Sequence, residues 1–215
     1  ADMESYKVID MIRKYKEQNY VVIISIHAGI EFLPTPAPFI QVIYRNFIDE
    51  GADLIIGHHP HVVQGIEVYK NKAIVYSIGH FSIYRKDSRD QEKVGIIPQI
   101  YIGQEGISKI KIIPFEITKN KLLLMKGEKL KVFIDKFRYL SELVENKKAI
   151  DGIWMAYIEK RNIILDFKKI VDTNFEELEP NNISPDICKI NLIRDFEHNY
   201  IFLVNGNFHS SNFDF

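Results

Sequence analysis

Apolar and polar positions along the 215-residue chain change period several times, and each change predicts an element. Over Tyr6–Gln18, Val8, Ile9, Ile12 and Tyr15 fall on one helical face, with Lys7, Arg13, Lys14 and Lys16 on the other. Tyr20–Ile26 is apolar almost without interruption and β-branched, the pattern of a strand covered on both faces. Pro34, Pro36 and Pro38 exclude regular structure over Leu33–Pro38. Phe39–Glu50 returns to helical spacing through Ile40, Val42, Ile43, Phe47 and Ile48, and Gly51 stops it. Leu54–Ile56 predicts a second buried strand. Gly65–Tyr69 and Ala73–Ile78 predict a strand pair turning at Asn71, and Val94–Ile102 with Ile107–Ile117 a longer hairpin.

The character changes near Thr118. From Lys121 the chain is rich in Lys and Leu with helical periodicity, strongest over Leu130–Asn146 and Ile150–Val171. Glu177–Pro185 reads as a loop, and the tail Asn205–Phe215 as irregular. These elements place the chain in the α/β (α+β) class. Two regions are expected: residues 1–118 as a layered unit, and 119–215 as a mostly helical accessory region.

Composition narrows the classes. Hydrophobic residues are 46% and charged residues 27%, which excludes disorder and low-complexity architectures. The net charge is −1 and the balance holds on both sides of Thr118, so no nucleic-acid footprint is expected. One cysteine, Cys188, excludes an internal disulfide and a cysteine-rich zinc site. The longest apolar run, Val21–Ile26, is far too short for a transmembrane helix. The start at Ala1-Asp2-Met3-Glu4 has neither an initiator Met nor a signal-peptide pattern, so a piece of a longer protein is expected.

The candidate chemistry is in the histidines. Four of the seven, His27, His58, His59 and His61, follow two predicted buried strands, where open α/β sheets place ligands. Neutral imidazole is a common metal ligand, and Pro60 stiffens the His59-Pro60-His61 segment that presents two of them. His80, in Gly79-His80-Phe81, is positioned to join the same rim. Glu31 is close in sequence to His27 and is suited to ligation, hydrogen bonding or acid–base work. Asp49 and Asp53 flank a helix stop and read as capping or solvated groups. His198, His209 and Cys188 lack such context and read as structural. No H-E-x-x-H, P-loop, G-x-G-x-x-G or G-x-S-x-G pattern occurs.

Ser25-Ile26-His27-Ala28-Gly29-Ile30-Glu31 resembles the S-hydrophobic-H-x-G-x-E element of the CapA family, the capsule and poly-gamma-glutamate synthesis proteins of the metallophosphoesterase superfamily. The resemblance continues through Pro34–Pro38, Tyr44–Asp49 and Gly51–Tyr69, which contains Gly57-His58-His59-Pro60-His61. It closes at Ile74–Phe81 and extends over roughly residues 6–118. It implies the C-terminal part of a layered αββα sandwich with two divalent metals (manganese, iron or zinc) about 3.5–4 Å apart in the intact domain. It also implies metal-ligand roles for His27, His59 and His61, with either His58 or His59 as the ligand of that adjacent pair. Catalytic roles are expected for His58 and Glu31, and substrate binding for His80.

Two departures bear on function. The superfamily's N-terminal ligands come from D-x-H, G-D and N-H motifs, and this chain contains none of them. The family's usual G-N-F is Gly79-His80-Phe81 here. The resemblance therefore implies a metallophosphoesterase-type domain for an anionic surface polymer, lacking the first half of its site and weakly active by itself. Its expected partners are a phosphoester or anionic polymer and the segment carrying the other ligands, or other polymer-synthesis proteins; its expected location is the cell envelope or outside the cytoplasm. The alternatives are a non-catalytic polymer- or protein-binding scaffold of the same fold and a mononuclear zinc hydrolase.

Overall fold

The computed structural model describes residues 3–81, 84, 86–87, 89–103, 106–119, 121–160, 200–205 and 212–214. The first helix, α1 (Met3–Glu17), buries Val8, Ile9 and Ile12. It ends where Asn19 takes φ 62°, a left-handed conformation that Asn tolerates. Lys14 and Lys16 occupy the last turn, where cations complement the helix dipole. Strand β1 (Tyr20–His27) follows, then α2 (Pro38–Asp49), which starts with Pro at a position that needs no N–H partner. Gly51, at φ 113°, closes α2: its N–H bonds Ile48 O at 3.0 Å and the Ala52 N–H bonds Phe47 O at 3.0 Å, the Schellman pattern.

Strand β2 (Leu54–His58) lies parallel to β1, with Ile23 opposite Leu54 and His27 opposite His58. Strands β3 (Ile66–Tyr69) and β4 (Lys72–Val75) form a tight hairpin. Lys70 and Asn71 both have positive φ, 48° and 61°, as a type I′ turn requires. β4 pairs parallel with β2. After a short 3₁₀ turn at Asp90–Lys93, β5 (Val94–Gly103) and β6 (Gly106–Ile117) form the long hairpin, and β7 (Leu122–Leu124) adds to β6. Helices α3 (Gly127–Glu145) and α4 (Lys147–Lys160) follow. Two further strands are β8 (Tyr200–Asn205) and β9 (Asn212–Asp214). The first sheet has the order β3-β4-β2-β1-β8; the second has β5-β6-β7, with β9 parallel to β6.

The period of two along β1 sorts its side chains between two cores. Val22, Ile24 and Ile26 pack against Ile12 of α1 and Tyr44 and Phe47 of α2, and Trp154 of α4 packs against this cluster. Val21 and Ile23 join Leu54 in a second core with Ile96 of β5, Ile110 and Ile112 of β6 and Phe137 of α3. Helices, first sheet and second sheet are thus stacked layers of an α+β fold. Helix α3 covers the β3 edge: the Ile66 N–H donates to Ser141 Oγ at 3.0 Å, and Leu140 backbone lies 2.6 Å from where a Cβ on Gly65 would stand. Gln41 of α2 donates to Val144 O at 2.9 Å near the end of α3.

Three expectations are corrected. Leu122–Leu124, inside the stretch of helical periodicity, is a strand; it pairs with Phe115–Ile117, and the helix waits until Gly127. Asn212–Asp214, read as irregular tail, is a strand because it pairs with Lys109–Lys111. Asp53 is neither solvated nor a cap. It is 3% exposed, bonded by Lys16 Nζ at 2.9 Å, Lys72 Nζ at 2.8 Å and the Val22 N–H at 2.8 Å. The readings at 161–171, Glu177–Pro185, Cys188, His198 and His209 lie outside the described residues.

Candidate metal centre

Parallel neighbours that end in register bring their last residues together, and here those residues are His27 and His58. They stand as the final strand positions rather than in the loops beyond. The loops that follow are stitched to each other. The Ala28 N–H donates to His58 O at 3.2 Å, and the Phe32 N–H to Pro60 O at 2.8 Å. Gly29 has φ 131°, and a Cβ there would stand 3.1 Å from Pro60 Cγ, so the crossing of the two loops needs glycine. His59 and His61 have φ 94° and 62°, and Phe32 has φ 62°. Left-handed backbone at three bulky residues is costly and is held by the surrounding bonds, a pattern that clusters at functional sites.

This backbone turns the side chains toward one another. His59 Nδ1 lies 3.1 Å from His27 Nε2, and their rings meet edge-on at 4.9 Å. His61 Nε2 lies 3.5 Å from Glu31 Oε1. Ligand atoms of Glu31, His59 and His61 all fall within 4.8 Å of one another. His80 stacks on His61 with centroids 4.5 Å apart. His58 points elsewhere, its Nε2 3.0 Å from Ser25 Oγ. Five of the six residues singled out from sequence therefore share one patch, and His58 sits beside it in a separate bond.

Burial favours the neutral form at two of the rings, His58 and His59. Burial holds the His58 imidazole below its ordinary pKa. Burial does the same for His59; Glu31 opposes the shift and His61 adds to it. Neutral imidazoles offer lone pairs, and the His59 and His61 imidazoles with the Glu31 carboxylate form a donor set suited to zinc, iron or manganese, with His27 bonded beside it. The donors present fit a divalent ion. The other carboxylates serve the framework. Glu67 is buried between Arg45 Nη2 at 2.6 Å and the Tyr76 hydroxyl, which donates at 2.5 Å, while Asp49 meets Lys70 Nζ at 2.5 Å.

Two neighbours, Phe32 and Arg89, escaped the sequence reading, and a third, Ser25, entered it only as part of the S-hydrophobic-H-x-G-x-E element, without a role of its own. Ser25 had a signal: it lies two residues before His27 and so shares its face of β1. Phe32 had only its place next to Glu31, and Arg89 had none. The Phe32 ring lies 5.8 Å from the His61 ring, and the Arg89 guanidinium carbon sits 4.6 Å over the Phe32 centroid.

Histidines converging at parallel strand ends, inside a helix–sheet–sheet stack, define an α+β protein with a candidate metal site. The family described as "Bacterial capsule synthesis protein PGA_cap" matches residues 1–84, which include all six of these residues. Over 152 residues the chain is 26% identical to "Capsule biosynthesis protein CapA" of Bacillus anthracis, covering 71% of this chain and 35% of that protein. Over 131 residues it is 31% identical to "PGA biosynthesis protein CapA" of Bacillus subtilis (strain 168), covering 61% and 33%. Residues 1–84 carry the match to this capsule-synthesis family, and the chain is similar to these two capsule and poly-gamma-glutamate (PGA) synthesis proteins. It spans about one third of the length of these two relatives.

Proposed function

We propose that the chain carries the histidine-bearing part of a metal-dependent phosphoesterase-type site used in making an anionic surface polymer at the cell envelope. The observation that carries this reading is the convergence of Glu31, His59 and His61 within 4.8 Å, beside His27, where two parallel strands end together. His59, His61 and His27 would hold a divalent ion, with Glu31 as the adjoining carboxylate. Such an ion, when bound, supplies a Lewis acid and lowers the pKa of coordinated water. The Gly29–Pro60 crossing fixes the positions of the two loops, and the His61–His80 stack fixes the ring orientation and offers His80 to substrate. Ser25 holds His58 at the rim, where a neutral imidazole can take up a proton. The polymer context is supported by the names of the two relatives.

The D-x-H, G-D and N-H motifs are absent from the sequence. The chain by itself therefore binds a single ion and turns over a phosphodiester slowly; partner segments bearing the remaining ligands complete the two-metal centre. The test is hydrolysis of a generic phosphodiester by this chain with manganese. Slow turnover that disappears in His59→Ala/His61→Ala is expected. Robust turnover contradicts the incomplete-site account, and a chain that retains no metal after dialysis against manganese favours the scaffold alternative.

A further inference from the structure

A cavity of about 390 Å³ is lined not by the histidine cluster itself but by residues next to it along the chain. Val62 and Val63, which directly follow His61, line it, and so does Pro34, two residues beyond Phe32. Gln64 Nε2 donates to Leu33 O at 2.8 Å, locking these two loop segments together. The opposite wall is helix α3, through Val132, Phe133 and Phe137. The volume is in the range of small-molecule sites, roughly 300–1,000 Å³. Its polar rim is balanced: Lys129 pairs with Glu116 at 2.8 Å, and Glu128 and Lys136 add one charge of each sign. Such a cavity suits an uncharged, apolar group.

The cluster side has the opposite character. Arg89 lies over Phe32, whose ring adjoins His61. Its Nε is engaged by Glu92, and a guanidinium retains further N–H donors for an anion. We infer that the site takes a single-chain anionic amphiphile, with its phosphate-type head at the histidine cluster beside Arg89 and its alkyl part in the cavity between the Val62-Val63 segment and α3. This rests on the metal-site reading and adds the substrate class to it.

The test is calorimetric binding to the manganese-loaded chain, comparing inorganic phosphate with dodecyl phosphate below its micelle concentration. Dodecyl phosphate is expected to bind at least about tenfold tighter, because burying methylene groups is favourable. Val132 is 59% exposed, so Val132→Asp spares the fold; it is expected to erase that gain while leaving phosphate binding intact. Arg89→Gln is expected to weaken both ligands by about tenfold, as loss of a charge-assisted contact does. Equal affinities for the two ligands, a gain that survives Val132→Asp, or affinities unmoved by Arg89→Gln overturn the inference while the metal reading stands. A chain that binds no manganese overturns both.

Discussion

Gly57 shows how closely single residues are specified around the site. It lies in β2 one position before His58, and a Cβ there would stand 2.1 Å from Tyr76 O. Gly57→Ala is expected to cost about 1–3 kcal/mol of stability, as overpacking does, read as a lower urea midpoint. An unchanged midpoint would show that the β2–β4 spacing can relax. The histidines give a pH dependence of defined sign. Burial lowers the His58 and His59 pKa values in the folded chain, so the unfolded chain binds more protons below about pH 6.5. Stability is full above that pH and falls as pH drops through it toward the folded values. The urea midpoint should decline between about pH 7.5 and 5.5, and less steeply in His58→Gln. A flat wild-type profile, or identical slopes, contradicts buried neutral imidazoles. At this scale the sequence was partly legible. His59-Pro60-His61 announced itself through spacing, whereas Arg89 reaches the site only because the chain folds back, which no local pattern encodes.

At the scale of elements, Asp53 ties the framework of the site together. Its carboxylate joins α1 through Lys16, β4 through Lys72 and β1 through the Val22 N–H, and so sets the strand alignment that ends at His27 and His58. Asp53→Asn should cost about 1.5–3 kcal/mol by chemical denaturation, the worth of hydrogen bonds to a charged group. A loss near zero would mean that the two lysines, both part-exposed, recover their solvation in full. The helices and central strands were readable because a buried face imposes a period of 3.6 or 2 over many residues. β7 and β9 are three residues each and exist through pairing with β6, so they carry too little period to read. Asp53 was misread for a related reason: its partners are Lys16 and Lys72, distant in sequence, and only the assembled sheet buries it.

At the scale of the whole molecule, three stacked layers bring two loops to one sheet end and leave an apolar cavity against α3. The change in sequence character near Thr118 does not separate the cores: Val144 of α3 packs in the helix-side core and Phe137 in the sheet-side core. Among the described residues no helix is long and apolar enough to cross a membrane. The central claim is that His59 and His61, with His27 and Glu31, bind a divalent cation. A calorimetric titration of manganese into the chain near neutral pH tests it most directly. The account predicts one saturable site, lost in His59→Ala/His61→Ala and retained in Asp53→Asn; no binding heat, or equal binding by the double-histidine variant, would contradict it.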